Sequence, residues 1–395
     1  MRKSVLFKIL SSSMIFSLLL GTASCSNKLP DETLPPPTTT TESTTVETTE
    51  SVPETTADTK PSHGPNSTAV VTERPVDIHG QLSLKGTDIV DQNGEKYQLR
   101  GMSSYFLNAS SFFWNEAAVQ TLAEDWGCNV LRIAVSTEGG GDGYVSDPDK
   151  YLTLTSKIID LCVDQGIYVL LDWHILPDGD PNEYIEQATD FFTRISALYK
   201  DCPNVIYELC NEPNGKRFDD KDKEVDWKKT VKPYAEKVIA AIRKNDPDNI
   251  IVVGTPHYSQ DVDIASEDPI KGDNIMYTLH FYAGSHGQDL RDKIIKANKN
   301  GCAVFVTEWG TTGDSGGGTL FLEESTVWLD FLKENNISWV NWSIGSPASE
   351  TSNALKFASK VLTIEEKYQG HWPDEFISDS GKFVREYLLK GATGN

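Results

Sequence analysis

Residues 205–213 read Val-Ile-Tyr-Glu-Leu-Cys-Asn-Glu-Pro, a mostly apolar run that becomes polar at its end. A run of this kind is typical of a parallel strand that is buried on both faces. Pro213 ends the strand, because proline has no N–H to donate to a neighbouring strand. Seven further apolar runs lie along the chain, at residues 99–102, 130–136, 168–174, 250–255, 275–282, 303–309 and 339–344.

Amphipathic helices are predicted between these runs. In residues 231–242 the apolar side chains recur at i, i+3, i+4 and i+7, and charged residues occupy the opposite face. Residues 182–199 and 320–333 show the same pattern. Strand followed by helix, repeated eight times, predicts an α/β protein built as a (β/α)8 TIM barrel. An open doubly wound sheet is disfavoured, because no glycine-rich turn follows the first strand.

The first 75 residues differ in composition from the rest of the chain. Residues 1–25 combine basic residues, a short apolar run and small residues before Cys25, which predicts a signal peptide of the lipoprotein type. Thr22 stands where such cleavage boxes usually have Leu or Val, so plain secretion stays open as the alternative. Residues 26–75 are rich in Thr, Ser, Pro and Glu, which predicts a disordered linker. We therefore expect an extracellular protein, either secreted or attached to the bacterial cell surface through a lipid on Cys25.

The remaining residues, 76–395, are predicted to form a single folded domain. Its first runs, residues 82–84 and 88–90, are followed by Asn93-Gly94, a dipeptide typical of tight hairpin turns. We therefore expect an N-terminal β-hairpin before the first barrel strand.

Charge and cysteine content disfavour several classes of function. The 58 acidic residues outnumber the 36 basic ones, and the net charge of −22 offers no basic surface for a nucleic acid. An uncharged sugar polymer is not repelled by this charge. Beyond Cys25 the chain has five cysteines, an odd number without a Cys-x-x-Cys pair, which favours buried free thiols over disulfides or zinc ligands. We expect neither a metal nor a cofactor.

Polar, ionisable and aromatic side chains stand where the predicted strands end. Because the active site of a TIM barrel lies at the C-terminal ends of its strands, these side chains are the site candidates. Glu212 follows the fourth strand and Glu308 the seventh, which places two carboxylates across the barrel mouth. Two carboxyl groups about 5 Å apart suit a retaining glycoside hydrolase. The other candidates are Arg132, His174, Asn211, His280, Tyr282 and Trp342.

Three segments resemble the signature segments of glycoside hydrolase family 5, and most closely those of its bacterial endo-β-1,4-glucanases (cellulases). They are residues 171–174 (Leu-Asp-Trp-His), 206–213 (Ile-Tyr-Glu-Leu-Cys-Asn-Glu-Pro) and 306–310 (Val-Thr-Glu-Trp-Gly). The resemblance extends from about residue 99 to residue 387. It implies that residues 76–395 are a catalytic domain that hydrolyses internal β-1,4-glucosidic bonds with retention of configuration and without a cofactor.

The resemblance also implies a role for each candidate residue. Glu212 would be the proton donor, or acid/base, and Glu308 the nucleophile. The other side chains would support these two or bind the sugar: Arg132 and Tyr282 beside the nucleophile, Asn211 at the sugar 2-hydroxyl, His174 and His280 around the sugar and the carboxylates, and Trp342 stacked under the sugar.

The preferred polymer stays open, because Tyr105, Ser136, Tyr258 and residues 345–347 depart from the pattern of these endoglucanases. The alternative is the same retaining mechanism on mixed-linkage β-glucan, xyloglucan or β-mannan. A surface lipoprotein that binds polysaccharide without cutting it is disfavoured, because both glutamates are present. A metal-dependent hydrolase is disfavoured because no His-x-His ends the first strand, and a phosphate-binding barrel because residues 316–318 lie in an acidic loop. We expect a monomer whose partner is a β-glucan.

Overall fold

Ten strands form the framework of the protein in a computed structural model that describes residues 71–110, 113–138, 141–216, 224–345, 350–356 and 372–393. They are β1 (Ser83–Lys85), β2 (Asp88–Val90), β3 (Arg100–Ser103), β4 (Val130–Ser136), β5 (Tyr168–His174), β6 (Val205–Glu208), β7 (Ile251–Val253), β8 (Ile275–Tyr282), β9 (Val304–Gly310) and β10 (Trp339–Asn341). Strands β3 to β10 close into a barrel in the order β10-β3-β4-β5-β6-β7-β8-β9, and all neighbouring strands are parallel. The predicted (β/α)8 barrel is confirmed.

Helices connect the barrel strands and cover their outer faces. They are α1 (Pro75–His79), α2 (Leu107–Ser110), α3 (Glu116–Gln120), α4 (Pro148–Gln165), α5 (Ile185–Leu198), α6 (Lys232–Ile242), α7 (Pro256–Ser259), α8 (Val262–Ala265), α9 (Gln288–Lys299), α10 (Leu322–Glu334) and α11 (Asp379–Thr393), with π-helical turns at Thr121–Asp125 and Trp227–Val231. Helix α4 shows how the sequence sets these bounds. Asp147 caps its first turn by accepting from the Lys150 N–H, and Gly166 ends it in the left-handed region at φ 71°.

The start of the domain differs from the prediction in two details. Strands β1 and β2 pair directly with each other, so the hairpin turn lies at residues 86–87. The predicted turn at Asn93-Gly94 is a second turn, closed by a single bridge between Val90 and Lys96. The folded part also begins before residue 76, because the Val71 N–H donates to the Glu124 carbonyl at 3.0 Å.

The barrel interior changes from apolar to polar along the strands. Its N-terminal layers form one apolar cluster with Val130, Tyr168, Leu170, Ile206, Met276 and Phe305 among its members. Two residues further along the strands, side chains of the same face are polar, because alternate residues of a strand point to the same side. These are Arg132, Asp172, Glu208, Thr278 and Thr307, all 0% exposed. The apolar layers therefore support a polar site at the C-terminal end of the barrel.

The outer faces of the strands and the inner faces of the helices form a second, larger apolar core. The five cysteines 128, 162, 202, 210 and 302 are buried, and none of them forms a disulfide within the described residues, as expected. Within the described residues, no helix combines the length and apolar character that a membrane span requires. The predicted signal peptide with Cys25, the linker up to residue 70, and residues 346 and 347 lie outside the described residues.

Candidate active site

A cleft of about 580 Å³ lies at the C-terminal end of the barrel. Seven of the eight candidate side chains line it: His174, Asn211, Glu212, His280, Tyr282, Glu308 and Trp342. Arg132 does not, because its side chain is fully buried below the cleft. Arg132 was grouped with the residues that support the glutamates or bind the sugar, and the structure limits it to the first role: a side chain enclosed by strands can act on a substrate only through the groups that it holds.

The two glutamates come close together above the barrel interior. One side-chain oxygen of each lies within 4.8 Å of the other, and both residues are at most 8% exposed. This spacing matches the separation of about 5–5.5 Å at which one carboxyl group can attack a sugar while the other protonates the leaving group. It is too short to admit a water molecule between a sugar and a general base, which inverting enzymes require at about 6.5–9.5 Å.

Glu212 lies four residues beyond the end of β6, in an irregular segment held by its neighbours. The Asn211 N–H donates to the Trp173 carbonyl at 3.1 Å, and the Ser259 hydroxyl donates to the Asn211 carbonyl at 2.6 Å. The Asn214 side chain donates to the Glu212 carbonyl at 2.8 Å. Contacts from the end of β5, from α7 and from Asn214 therefore hold Glu212 in place, which a rigid catalytic geometry requires.

A β-bulge in β9 brings two consecutive side chains into the barrel. The register between β8 and β9 shifts by one residue, from Thr278 opposite Phe305 to His280 opposite Glu308. Because a bulge inserts one extra residue into a strand, it re-aims the side chains around it. Thr307 follows Phe305 on the inward face and reaches Glu208 at 2.6 Å, and the bulge turns Glu308 inward as well, towards Arg132.

The Arg132 guanidinium binds several carboxylates, and Glu308 is not its main partner. Nε and Nη2 donate to the two oxygens of Glu208 at 2.7 and 3.2 Å, and Nη2 also lies 2.9 Å from Asp172. Nη1 donates to Glu308 Oε2 at 3.2 Å. Burial alone would lower the pKa of Arg132, but the carboxylates raise it above its ordinary value. The residue is therefore a permanent cation, and Glu208 determines which of its N–H groups faces Glu308.

Glu308 receives a second hydrogen bond from Tyr282, whose hydroxyl donates to Oε1 at 2.8 Å. Burial and the neighbouring carboxylates raise the pKa of Tyr282 well above its usual range, so its hydroxyl remains a donor. Gly310 makes room for the ring, since a Cβ at this position would lie 2.5 Å from ring atoms of Tyr282. Glu308 thus accepts one hydrogen bond on each oxygen.

His280 contacts Glu212 on one side and Thr307 on the other. Its Nδ1 lies 2.9 Å from Glu212 Oε1, and its Nε2 lies 3.0 Å from the Thr307 hydroxyl. Burial alone would lower the pKa of His280, but its interactions with Glu208 and Glu212 raise it to about 9. The imidazole therefore places a positive charge beside Glu212 near neutral pH.

His174 and Trp342 form an aromatic wall of the cleft. Their rings are stacked with 5.2 Å between centroids and an angle of 2° between planes, and Phe106 packs edge-on against His174. Burial first, and then the charge of Arg132, lower the pKa of His174 to about 3, so the ring is neutral. Its Nδ1 lies 2.6 Å from Asp172 Oδ2, which fixes the ring orientation.

Asn211 is held between the arginine and the backbone. Its Oδ1 accepts from Arg132 Nη2 at 2.7 Å, and its Nδ2 donates to the Ile175 carbonyl at 3.0 Å. An amide nitrogen carries two hydrogens, so one N–H is left for a sugar hydroxyl in the cleft.

The residues that depart from the endoglucanase pattern lie in different parts of the structure. Tyr105 and Tyr258 line the cleft. Ser136 is buried and hydrogen-bonds Asn108 instead. Tyr258 belongs to a run of three non-glycine residues with positive φ, 257–259, and it is 37% exposed. Such a backbone is strained and is typical of functional loops.

Glu212, His280 and Glu308 also form the one group of described residues whose spacing could suit a metal ion. His280 and Glu212 are already hydrogen-bonded to each other, and Glu308 accepts from Arg132 and Tyr282. A permanently charged guanidinium beside Glu308 and the raised pKa of His280 both oppose a second cation. The donor set therefore fits proton transfer better than metal binding.

Three important residues were not predicted as part of the site: Asp172, Glu208 and Thr307. Asp172 and Glu208 occur in otherwise apolar strands and share the inward face with Arg132. A charged residue at an inward position of a barrel strand is the signal that could have found them. Thr307 had no such signal, because regular alternation would place it on the face opposite Glu308.

The comparisons with known proteins agree with this geometry. The family model described as cellulase (glycosyl hydrolase family 5) matches residues 90–347. The chain is 43% identical over 329 residues to Endoglucanase 5 of Pectobacterium carotovorum subsp. carotovorum, covering 82% of this chain and 61% of that protein. It is 46% identical over 309 residues to an endoglucanase of Clostridium saccharobutylicum, covering 78% and 65%. The chain thus spans less than two thirds of the length of these two relatives.

Among solved structures, a variant of the catalytic domain of Thermobifida fusca endoglucanase Cel5A in complex with cellotetraose matches with a TM-score of 0.71. The two chains are 30% identical, and the match covers 80% of this chain and 99% of that one. Fold and sequence therefore agree, and the family model spans more than half of the residues. The chain belongs to glycosyl hydrolase family 5, the cellulase family.

Proposed function

We propose that the protein is an endo-β-1,4-glucanase that hydrolyses internal glucosidic bonds with retention of configuration. The observation that carries the proposal is the pair of carboxylates within 4.8 Å of each other, Glu212 beside His280 and Glu308 beside Arg132 and Tyr282. Glu308 thus accepts hydrogen bonds from a guanidinium and a phenol, and Glu212 contacts an imidazole. Relatives named endoglucanases support β-1,4-glucan as the substrate.

In the first step Glu308 attacks the anomeric carbon and forms a glycosyl ester, while Glu212 donates its proton to the glycosidic oxygen. The bond to the leaving sugar breaks, and Glu212 becomes a carboxylate. The free N–H of Asn211 would hydrogen-bond the 2-hydroxyl, a contact that strengthens as positive charge develops on the sugar. Trp342 would support the same sugar ring by stacking.

In the second step Glu212 takes a proton from water, and the resulting hydroxide oxygen attacks the anomeric carbon. The ester bond breaks, and Glu308 leaves as a carboxylate. Arg132 and Tyr282 assist this departure, because both donate to the oxygens on which the negative charge returns.

The full chain, with Glu308→Gln as the blank, tests this proposal on carboxymethylcellulose, barley β-glucan, xyloglucan and glucomannan. We expect reducing ends from the first two polymers and a fall in viscosity that precedes most of the sugar release, as internal cleavage requires. Release only from xyloglucan or glucomannan would replace the substrate and keep the mechanism. No release from any polymer would contradict the enzymatic function.

We also propose that the protein is exported, attached to the cell surface through Cys25, and monomeric. The proposed export and lipid attachment rest on the composition of residues 1–25 and on the small residues that precede the cysteine. Cells that express the full chain should hold it in the membrane fraction, and Cys25→Ser should release it to the medium. Equal release of both proteins would favour plain secretion. Light scattering of the released protein measures its mass, and the mass of a single chain is expected.

A further inference from the structure

A continuous line of hydrogen bonds connects the barrel interior with the cleft. It runs from Glu208 through the hydroxyl of Thr307 and the ring of His280 to Glu212. Glu208, Thr307 and His280 are at most 2% exposed, and Glu212, at the cleft end of the line, is 8% exposed. Because water has no access to the inner part of this line, each hydrogen in it can be assigned from donor and acceptor counts.

The assignment begins at Glu208, which is ionised. Two N–H groups of Arg132 bind its two oxygens, and burial, which would raise its pKa, is outweighed by the charge of Arg132. The pKa of Glu208 falls to about 2. An ionised carboxylate only accepts hydrogen bonds. The hydrogen between Glu208 Oε1 and the Thr307 oxygen, 2.6 Å apart, therefore comes from Thr307.

Thr307 has a single hydroxyl hydrogen, and it is committed to Glu208. Its oxygen can then only accept from its other two neighbours, the Thr278 hydroxyl and His280 Nε2. The Thr278 oxygen in turn accepts from the Thr307 N–H at 3.3 Å, which leaves its own hydrogen for Thr307. All donors and acceptors in this group are matched only if His280 carries a hydrogen on Nε2.

We propose that Glu208, acting through the Thr307 hydroxyl, holds the hydrogen of His280 on Nε2 and so reserves Nδ1 for exchange of the acid/base proton with Glu212. Glu208 and Thr307 are then positioning residues of the reaction. This inference rests on the proposed function. It adds to that function the residues that determine which nitrogen of His280 faces the catalytic acid.

The exchange itself moves one proton. Either Glu212 Oε1 carries it and Nδ1 accepts, or Nδ1 carries it and Glu212 is a carboxylate; the O–H bond breaks as the N–H bond forms. The carboxylates of Glu208 and Glu308 also favour retention of the proton on His280. The pKa of His280, about 9, agrees with this balance.

The tautomer can be measured directly on the full chain labelled with ¹⁵N-histidine, which contains seven histidines. Two-bond ¹H–¹⁵N correlation spectra distinguish a protonated ring nitrogen from an unprotonated one, and His280→Ala assigns the signals. We expect Nε2 to carry a hydrogen throughout the pH range and Nδ1 to titrate. A wild-type His280 with hydrogen on Nδ1 and none on Nε2 would overturn the proposal. This readout needs no substrate, so it does not depend on the proposed function.

Thr307→Val tests the effect on catalysis, because it removes the hydroxyl at nearly constant volume. We expect kcat/KM for phenyl β-cellobioside to fall about 10- to 100-fold, the range for one hydrogen bond to a charged group. For 2,4-dinitrophenyl β-cellobioside, whose leaving group needs no proton, the loss should stay below about threefold. The alkaline limb of kcat/KM, expected near pH 9 in the wild type, should move to lower pH.

Two variants control for packing. Thr307→Ser keeps the hydroxyl, so its kcat/KM should depend on the leaving group and on pH as in the wild type. Thr155→Val changes a buried threonine of α4 whose hydroxyl has no partner, and should leave kinetics unchanged. Equal losses of Thr307→Val on both substrates, or an unmoved alkaline limb, would contradict the positioning role. A wild type that cleaves neither aryl cellobioside would instead contradict the proposed function.

Discussion

Glu308→Gln is expected to lower kcat/KM on carboxymethylcellulose by about 10⁵-fold or more. The amide is a very poor nucleophile, so the glycosyl ester does not form, and the negative charge that stabilises the developing oxocarbenium ion is lost. The hydrogen bonds from Arg132 and Tyr282 were matched to two carboxylate oxygens, and an amide offers only one oxygen. Release of reducing ends over long incubations measures the residual rate.

The same variant should remain as stable as the wild type. Glu308 raises the pKa of Asp172 through repulsion, although burial is the larger cause, so losing its charge relieves the carboxylates around Arg132. The reduced repulsion among the carboxylates offsets the lost hydrogen bond. The midpoint of thermal unfolding should therefore be unchanged or raised by about 1–3 °C. The exposed Glu334→Gln at the end of α10 is the matched control and should change neither quantity. An active Glu308→Gln enzyme would remove Glu308 from the nucleophile role.

The architecture could be predicted because each barrel strand is buried on both faces. All eight apolar runs predicted a strand, and the residues at their ends included both glutamates of the cleft. Strand lengths were less accurate. Residues 209–211 looked like strand, yet β6 ends at Glu208, because the backbone of Leu209 to Asn211 bonds irregularly to β7 and β5. An apolar run indicates that a segment is buried, but it does not show that the backbone of the segment pairs regularly with a neighbouring strand.

The side-chain contacts between residues of different strands could not be predicted from the sequence in the same way. Arg132 lies beside Glu308 at 3.2 Å as expected, but it makes shorter contacts with Glu208, at 2.7 Å, and with Asp172, at 2.9 Å. Which carboxylate an arginine contacts most closely depends on how far along the barrel axis each side chain lies. The stagger of the strands sets these positions. Thr307 and Glu308 both point inward only because of a bulge, for which the sequence of β9 carries no turn signal.

Glu212→Ala is expected to separate the two chemical steps. On carboxymethylcellulose kcat/KM should fall about 10²- to 10⁴-fold, because the leaving sugar is no longer protonated. On 2,4-dinitrophenyl β-cellobioside the first step should survive, since that leaving group departs without a proton. Its second step loses the general base, so the glycosyl ester on Glu308 should accumulate. Mass spectrometry of the intact protein should show the added cellobiosyl group, and a burst of dinitrophenolate should precede slow turnover.

Added azide distinguishes this loss from a general loss of structure. Azide attacks without the help of a base and fits the space that the missing carboxylate leaves, so it should restore turnover of Glu212→Ala and yield the β-configured azide. Glu308→Gln should show neither burst nor rescue with the β product, because it forms no ester. His280 would lose its partner at 2.9 Å in the Glu212→Ala protein, so the alkaline limb near pH 9 should disappear from its profile. Product with α configuration from Glu212→Ala would mean direct displacement at the sugar and would reverse the assignment of the two glutamates.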